Sequence, residues 1–255
     1  MVSPLRSTPM ASVATGAFEI PEEGWGMDVK RLLLFDIDGT LVRGGPAKRV
    51  FEFALASVFG TAGAIDGHDF SGKTDPQIAR ELLTAAGLPE EKIEAGFPTL
   101  WRTYLAGLKK SLPATPMNVI PGVGPVLEYL EGREDVALGL LTGNIVEGAR
   151  LKLGSVGMDC FFPIGGYGSD SEIRDDLPPI AMERATKKWG RPFESQHVVV
   201  IGDTPRDVSC GKNSGTRTVA VATGRFERMA LEETGADHVL NDMTNLDETL
   251  EALLR

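Results

Sequence analysis

The chain has 255 residues, with 26 Lys+Arg against 36 Asp+Glu and a formal net charge of −10 at pH 7. That length buries an ample core, and 42% hydrophobic with 24% charged residues excludes wholesale disorder. The acidic balance argues against nucleic acid or an anionic membrane as partner, because phosphate-rich surfaces are held by excess Lys and Arg. No apolar run approaches the ~18–20 residues of a membrane-spanning helix. Two cysteines, Cys160 and Cys210, make no disulfide framework, read as ordinary buried small residues, and fit a reducing cytoplasm.

Residues 1–29 are rich in Ser, Thr, Ala, Pro and Gly with no apolar period. They read as a flexible tail, and they lack the charged start and apolar stretch of a signal peptide. Leu32-Leu33-Leu34-Phe35 is the continuous apolar run of a strand buried on both faces, and it ends in Asp36-Ile37-Asp38-Gly39-Thr40. From 46 to 117 only helical patterns follow: 50–59, 76–86 behind the N-cap candidate Asp75, and 90–112. Gly44-Gly45-Pro46 marks the departure and Pro113, Pro116 and Pro121 the return, so a helical lobe is inserted after the first strand. Strand runs then recur at 136–141, 198–201 and 218–222, with weaker ones at 161–164 and 238–240. Helices are expected at 123–130, 145–156, 180–189, 207–213, 225–233 and 246–254. Such alternation predicts βαβ units, hence an α/β class, Rossmann-like three-layer α/β/α core with a parallel sheet plus an inserted all-helical lobe. The core spans 30–45 and 118–255, and the lobe 46–117.

In open α/β sheets ligands bind beyond the carboxyl ends of the strands. Asp36 and Asp38, two apart on an extended strand, face the same side, and Gly39 lets the backbone turn away. Alone, this D-x-D-G reads equally well as a solvated turn. It is not alone: 198–201 runs into Gly202-Asp203-Thr204-Pro205-Arg206-Asp207, and 136–141 into Thr142-Gly143-Asn144. Clustered carboxylates suit a hard cation such as Mg2+. The chemistry such an assembly supports is attack of Asp36 on phosphorus to give a covalent aspartyl-phosphate, with Asp38 as general acid and then base.

DIDGTL from Asp36, LLTGN ending at Asn144 and VVVIGDTPRD ending at Asp207 resemble motifs I, II and IV of the haloacid dehalogenase-like superfamily. The helical insertion resembles the type-1 cap of its phosphoglycolate phosphatase-like branch. The resemblance implies Asp36 as nucleophile and Asp38 as acid/base. It implies Mg2+ held by the Asp36 carboxylate, the Asp38 carbonyl and Asp203, with Asp207 near by. Thr142 would bind the transferred phosphoryl group, with Gly39, Gly143, Asn144 and Arg174 as further phosphate-binding candidates. The dehalogenases lack the second acid, so Asp38 points to phosphate chemistry.

The chain departs from the family at motif III, where a Lys followed by Pro is usual. Asp176 before Pro178 and Pro179 reads as a helix start, which sets Arg174 at the catalytic edge, whereas Lys187 and Lys188 lie about three turns farther on. The bland alternative is that Arg174 only salts a surface loop among Glu172, Asp175 and Asp176. A second pattern competes: 67–74 (GHDFSGKT) matches the phosphate-cradling P-loop, but no buried strand leads into it and Asp69 would put a negative charge in an anion cradle. In the family reading Lys73 and Thr74 belong to a substrate-specificity loop; they serve equally as a loop leading into the next helix. The expectation is a cytoplasmic Mg2+-dependent phosphatase of a small phosphorylated metabolite, monomer or homodimer, with no nucleic-acid or membrane partner. A sugar phosphomutase resembling β-phosphoglucomutase is the alternative on the same scaffold, and a P-loop nucleotide binder the remote one.

Overall fold

The computed structural model describes residues 29–255, so the expected tail lies outside the described residues except for its last residue, the buried Val29. Eight strands are described: β1 (Arg31–Phe35), β2 (Val42–Gly44), β3 (Met117–Val119), β4 (Val136–Thr142), β5 (Gly165–Tyr167), β6 (Val198–Gly202), β7 (Arg217–Val221) and β8 (His238–Leu240). Six of them pair in parallel in the order β5-β4-β1-β6-β7-β8. The helices of the lobe are α1 (Ala47–Phe59), α2 (Asp75–Ala85) and α3 (Glu90–Ser111). Those flanking the sheet are α4 (Val123–Glu131), α5 (Val146–Gly154), α6 (Leu177–Trp189), α7 (Pro205–Asn213), α8 (Arg228–Glu232) and α9 (Leu246–Leu254).

The apolar run of β1 explains why it sits centrally. Leu33 and Phe35 pack into one hydrophobic cluster with Val199 and Ile201, while Leu32 and Leu34 pack into the opposite one with Val198, Val200 and Ala181. Alternate residues thus fill both faces of the sheet, each buried Leu contributing roughly 1.5–3 kcal/mol relative to exposure. With β4 on one side of β1 and β6 on the other, the strand order reverses at β1, which places the end of β1 in the crevice where such sheets bind ligands.

Four expectations change. The weak strand at 161–164 is instead a 3₁₀ turn at Asp159–Phe161 followed by Phe162, whose ring packs edge-on against Phe35 at 5.9 Å. The real strand, β5, starts at Gly165, where apolar patterning is blind to it: a Cβ at Gly165 would lie 2.9 Å from Leu140 Cβ, and one at Gly166 2.5 Å from Leu177 O. Cys160 lies on that turn and is exposed rather than buried, while Cys210 is buried as expected. The N-cap of α2 is Thr74, whose hydroxyl accepts from Gln77 N, so Asp75 is the first helical residue. Finally, β2 and β3 form an antiparallel ribbon too short for pattern analysis, and it sets the exit and return of the lobe side by side. Among the described residues no helix is long and apolar enough to cross a membrane.

The lobe docks on the carboxyl edge of the sheet through the start of α2. Asp75 N donates to Gly143 O at 2.7 Å, the Thr74 hydroxyl donates to Glu172 O at 2.8 Å, and Ile145 N donates to Asp75 Oδ2 at 2.9 Å. Gly143 is required by this close approach, since a Cβ there would lie 2.0 Å from Lys73 O.

Candidate active site

Beyond Phe35 the chain turns sharply at Gly39, whose φ of 95° is a left-handed conformation that side chains disfavour. A Cβ there would also sit 2.4 Å from Asp203 Oδ2. The turn leaves Asp36 buried at the end of the central strand, its amide still on the ladder to Ile201 O. Arg174 meets it from the loop before α6. One nitrogen, Nη2, donates to Asp36 Oδ1 at 3.1 Å, to Asp207 Oδ1 at 2.5 Å and to Leu141 O at 3.2 Å. Arg174 is therefore buried against the carboxylates rather than exposed among Glu172, Asp175 and Asp176. Lys187 instead pairs with Glu183 at 2.5 Å, and Lys188 lies over the Trp189 ring.

Asp203, at the end of β6, accepts from the Thr40 hydroxyl at 3.2 Å. Asp207 forms a capping box with Thr204 at the start of α7, and its two oxygens receive Thr204 and Arg174. Asp36, Asp203 and Asp207 each offer an oxygen within 4.8 Å of the others. Burial, then the charge of Asp207, pushes the Asp36 carboxyl up to about 7 despite the opposing pull of Arg174. Burial, then Asp207 and Asp36, pushes Asp203 up to about 8. Three buried carboxylates facing one buried guanidinium leave an excess of negative charge, and their hard oxygens are the donor type that Mg2+ takes. The donor set fits that ion.

A stability prediction follows from these shifts. Unfolded carboxyls ionise near the ordinary value of 3.8, whereas Asp36 and Asp203 in the fold hold their protons to about 7 and about 8. Between those limits the native state binds more protons than the unfolded one, so stability falls as pH rises. Thermal melts of the metal-free protein should show Tm declining from pH 5 to pH 8, with Mg2+ restoring more of it at pH 8 than at pH 5. A Tm that rises over that range without metal contradicts the charge imbalance.

Asp38, on the same cavity, has partners of its own. Its Oδ2 accepts from Lys152 Nζ at 2.6 Å and from Asn144 Nδ2 at 2.8 Å, and Asn144 also donates to the Thr142 hydroxyl at 2.8 Å. The phosphate-binding candidates Thr142 and Asn144 thus form a chain that ends on Asp38, beside Gly143. Lys152 escaped the sequence reading. Its signal was a lysine in an apolar slot: on α5 it shares the buried face with Gly148, Ala149 and Leu153. Asp75, by sequence a helix-cap candidate, is half-buried near this group, and desolvation pushes its carboxyl up to about 6 against the pull of Lys152.

These residues line one cavity of about 420 Å³ between sheet and lobe. Asp36, Asp38, Gly39, Thr142, Gly143, Asn144, Arg174 and Asp203 reach it from the sheet side, and Lys73 reaches it from the lobe. Thr74 is buried at the start of α2, and Asp207 stands behind Arg174. The P-loop-like segment follows a 3₁₀ turn at Ile65–Gly67 instead of a strand, and Lys73 Nζ is paired with Glu81 at 2.5 Å. Neither feature suits a phosphate cradle.

A family model described as haloacid dehalogenase-like hydrolase matches residues 30–215. The phosphoglycolate phosphatase of Synechococcus elongatus is 26% identical over 226 residues, covering 88% of this chain and 98% of that protein. The phosphoglycolate phosphatase of Pseudomonas syringae pv. tomato is 26% identical over 224 residues, covering 85% and 78%. Among solved structures, a hydrolase from Pseudomonas syringae superposes with a TM-score of 0.65 at 21% identity, covering 89% of this chain and all of that one. A predicted phosphatase from Clostridium acetobutylicum gives 0.65 at 17% identity, covering 88% and 99%. At those identities the structural matches speak for the fold alone.

Proposed function

The chain belongs to the haloacid dehalogenase-like hydrolases, and from that premise we propose that it is a Mg2+-dependent phosphatase of a small phosphomonoester, working through an aspartyl-phosphate on Asp36. The observation that carries this reading is the buried Asp36 held by Arg174 at the floor of a cavity that Asp38, Thr142 and Asp203 also line. Relatives named phosphoglycolate phosphatase, aligned over most of the chain, support the reaction class.

In the first half-reaction an Asp36 oxygen attacks phosphorus and the ester P–O bond breaks. The departing alkoxide takes a proton from Asp38. In the second, water attacks the phosphorus of the aspartyl-phosphate, gives a proton to Asp38, and the Asp36–phosphorus bond breaks to release phosphate and restore the carboxylate. Lys152 and Asn144 keep the Asp38 carboxylate at a fixed place between these transfers. Arg174 offsets the charge of the nucleophile and of the phosphoryl oxygens, and the Thr142 hydroxyl binds the transferred group. Mg2+, held by Asp36, Asp203 and the Asp38 carbonyl with Asp207 close by, would neutralise the repulsion between anionic nucleophile and anionic phosphate.

We assign 30–45 and 118–255 to the catalytic core and 46–117 to a lobe that covers the site and excludes bulk water. The partner is a small phosphorylated metabolite. Two unpaired cysteines support a cytoplasmic setting. The test is phosphate release from p-nitrophenyl phosphate with and without Mg2+. Turnover should appear with the metal and vanish with EDTA; a folded, Mg2+-loaded protein that releases no phosphate rejects the reading.

A further inference from the structure

The lobe side of the cavity is chemically unlike its floor. Phe51, Phe70, Ile78 and Tyr104 line it, with the Phe51 and Tyr104 rings packed edge-to-face at 5.2 Å. Three cations also reach this part of the cavity, and each is already matched to a carboxylate of the lobe. Lys73 Nζ lies 2.5 Å from Glu81 Oε2, Lys48 Nζ 3.0 Å from Asp66 Oδ1, and an Arg225 nitrogen 3.0 Å from Asp69 Oδ1. Glu81 also accepts from Gln77 Nε2 at 2.9 Å, so it is not a loose partner that a ligand would displace without loss. Asp75 adds a half-buried carboxyl to the same wall.

A leaving group bearing a carboxylate would therefore meet aromatic rings and two acids, Asp38 and Asp75, and the enclosed cation of this wall, Lys73, would have to give up Glu81 to receive it, since the Lys48 and Arg225 pairs lie exposed to solvent. Desolvating an unmatched anion is costly, whereas burying a neutral ring against Phe and Tyr is favourable. We propose that the enzyme takes phosphomonoesters of neutral, ring-bearing alcohols and discriminates against carboxylate-bearing ones such as phosphoglycolate. The cavity of about 420 Å³ has room for a phosphoryl group and a ring together. This inference rests on the phosphatase reading of the same site and narrows its substrate class.

The test compares kcat/KM for benzyl phosphate and 2-phosphoglycolate, two esters of primary alcohols, with the Mg2+-loaded enzyme and with p-nitrophenyl phosphate as a reference. Benzyl phosphate should be favoured by about tenfold or more, the scale of one ring or one unmatched charge. Glu81→Gln, which frees the Lys73 ammonium, should raise kcat/KM for phosphoglycolate by about tenfold relative to benzyl phosphate. Phe70→Ala should lower benzyl phosphate turnover more than that of phosphoglycolate. Equal or better use of phosphoglycolate by the wild-type enzyme, with p-nitrophenyl phosphate hydrolysed, overturns the substrate class and leaves the phosphatase reading standing. No hydrolysis of any of the three esters overturns both.

Discussion

Asp36→Asn should lower kcat by on the order of 10⁴- to 10⁶-fold, the scale seen when a covalent nucleophile is removed. The amide keeps the shape of the carboxylate and loses the anionic oxygen that forms the bond to phosphorus. The same change should raise the Tm of the metal-free protein at pH 8. Asp36 is one of three buried carboxylates within 4.8 Å of one another, and among the described residues Arg174 is the cation that hydrogen-bonds to them. Deleting one charge relieves repulsion that the native enzyme carries for function. Activity and stability thus move in opposite directions, and scanning fluorimetry beside a phosphate-release assay reads both. A variant that loses stability and activity together would make Asp36 an ion-pair residue of the scaffold.

Arg174→Met should damage both properties at once. The guanidinium is buried between Asp36 and Asp207, and its removal leaves two buried carboxylates without a counter-charge, a loss of about 3–5 kcal/mol. For a chain of this size that is roughly 10 °C in Tm. In the fraction that folds, kcat should fall by about 10²- to 10³-fold, as when one transition-state donor is deleted. Arg174→Lys should restore activity to within about tenfold. The reason is geometric: a single nitrogen of Arg174 serves all three acceptors, and an ammonium carries three donors. Failure of the lysine variant at full stability would show that the planar guanidinium is needed for the phosphoryl group itself.

The comparison of Arg174 with Lys187 and Lys188 shows where local reading works. Pro178 and Pro179 mark a helix start, helix starts here follow the carboxyl ends of strands, and so the residue just before that helix falls at the catalytic edge. The same logic finds Asp36, Thr142 and Asp203, because an apolar run long enough to be a buried strand announces both the strand and the place where it stops. Parallel sheets then bring those stops together, since βαβ alternation leaves every carboxyl end on one side. Fold class, the inserted helical segment and the acids of the floor are in this sense local properties of the chain.

What faces those acids is not local. Lys152 reaches Asp38 across 114 residues, Arg174 reaches Asp36 across 138, and Ile145 meets Asp75 across 70. No spacing rule relates such positions, because their separation in space depends on how whole elements pack, and for Asp75 on how the lobe docks, and not on any helical or strand period. The pairing of Lys73 with Glu81 is equally hidden, since α2 has to be placed before its second turn can face the loop ahead of it. β5, built on two glycines, lacked the side chains that carry a strand pattern. Apolar periodicity and strand ends are encoded within a few residues and survive without context; charge matching in the cavity is a product of packing, and it is there that substrate choice is made.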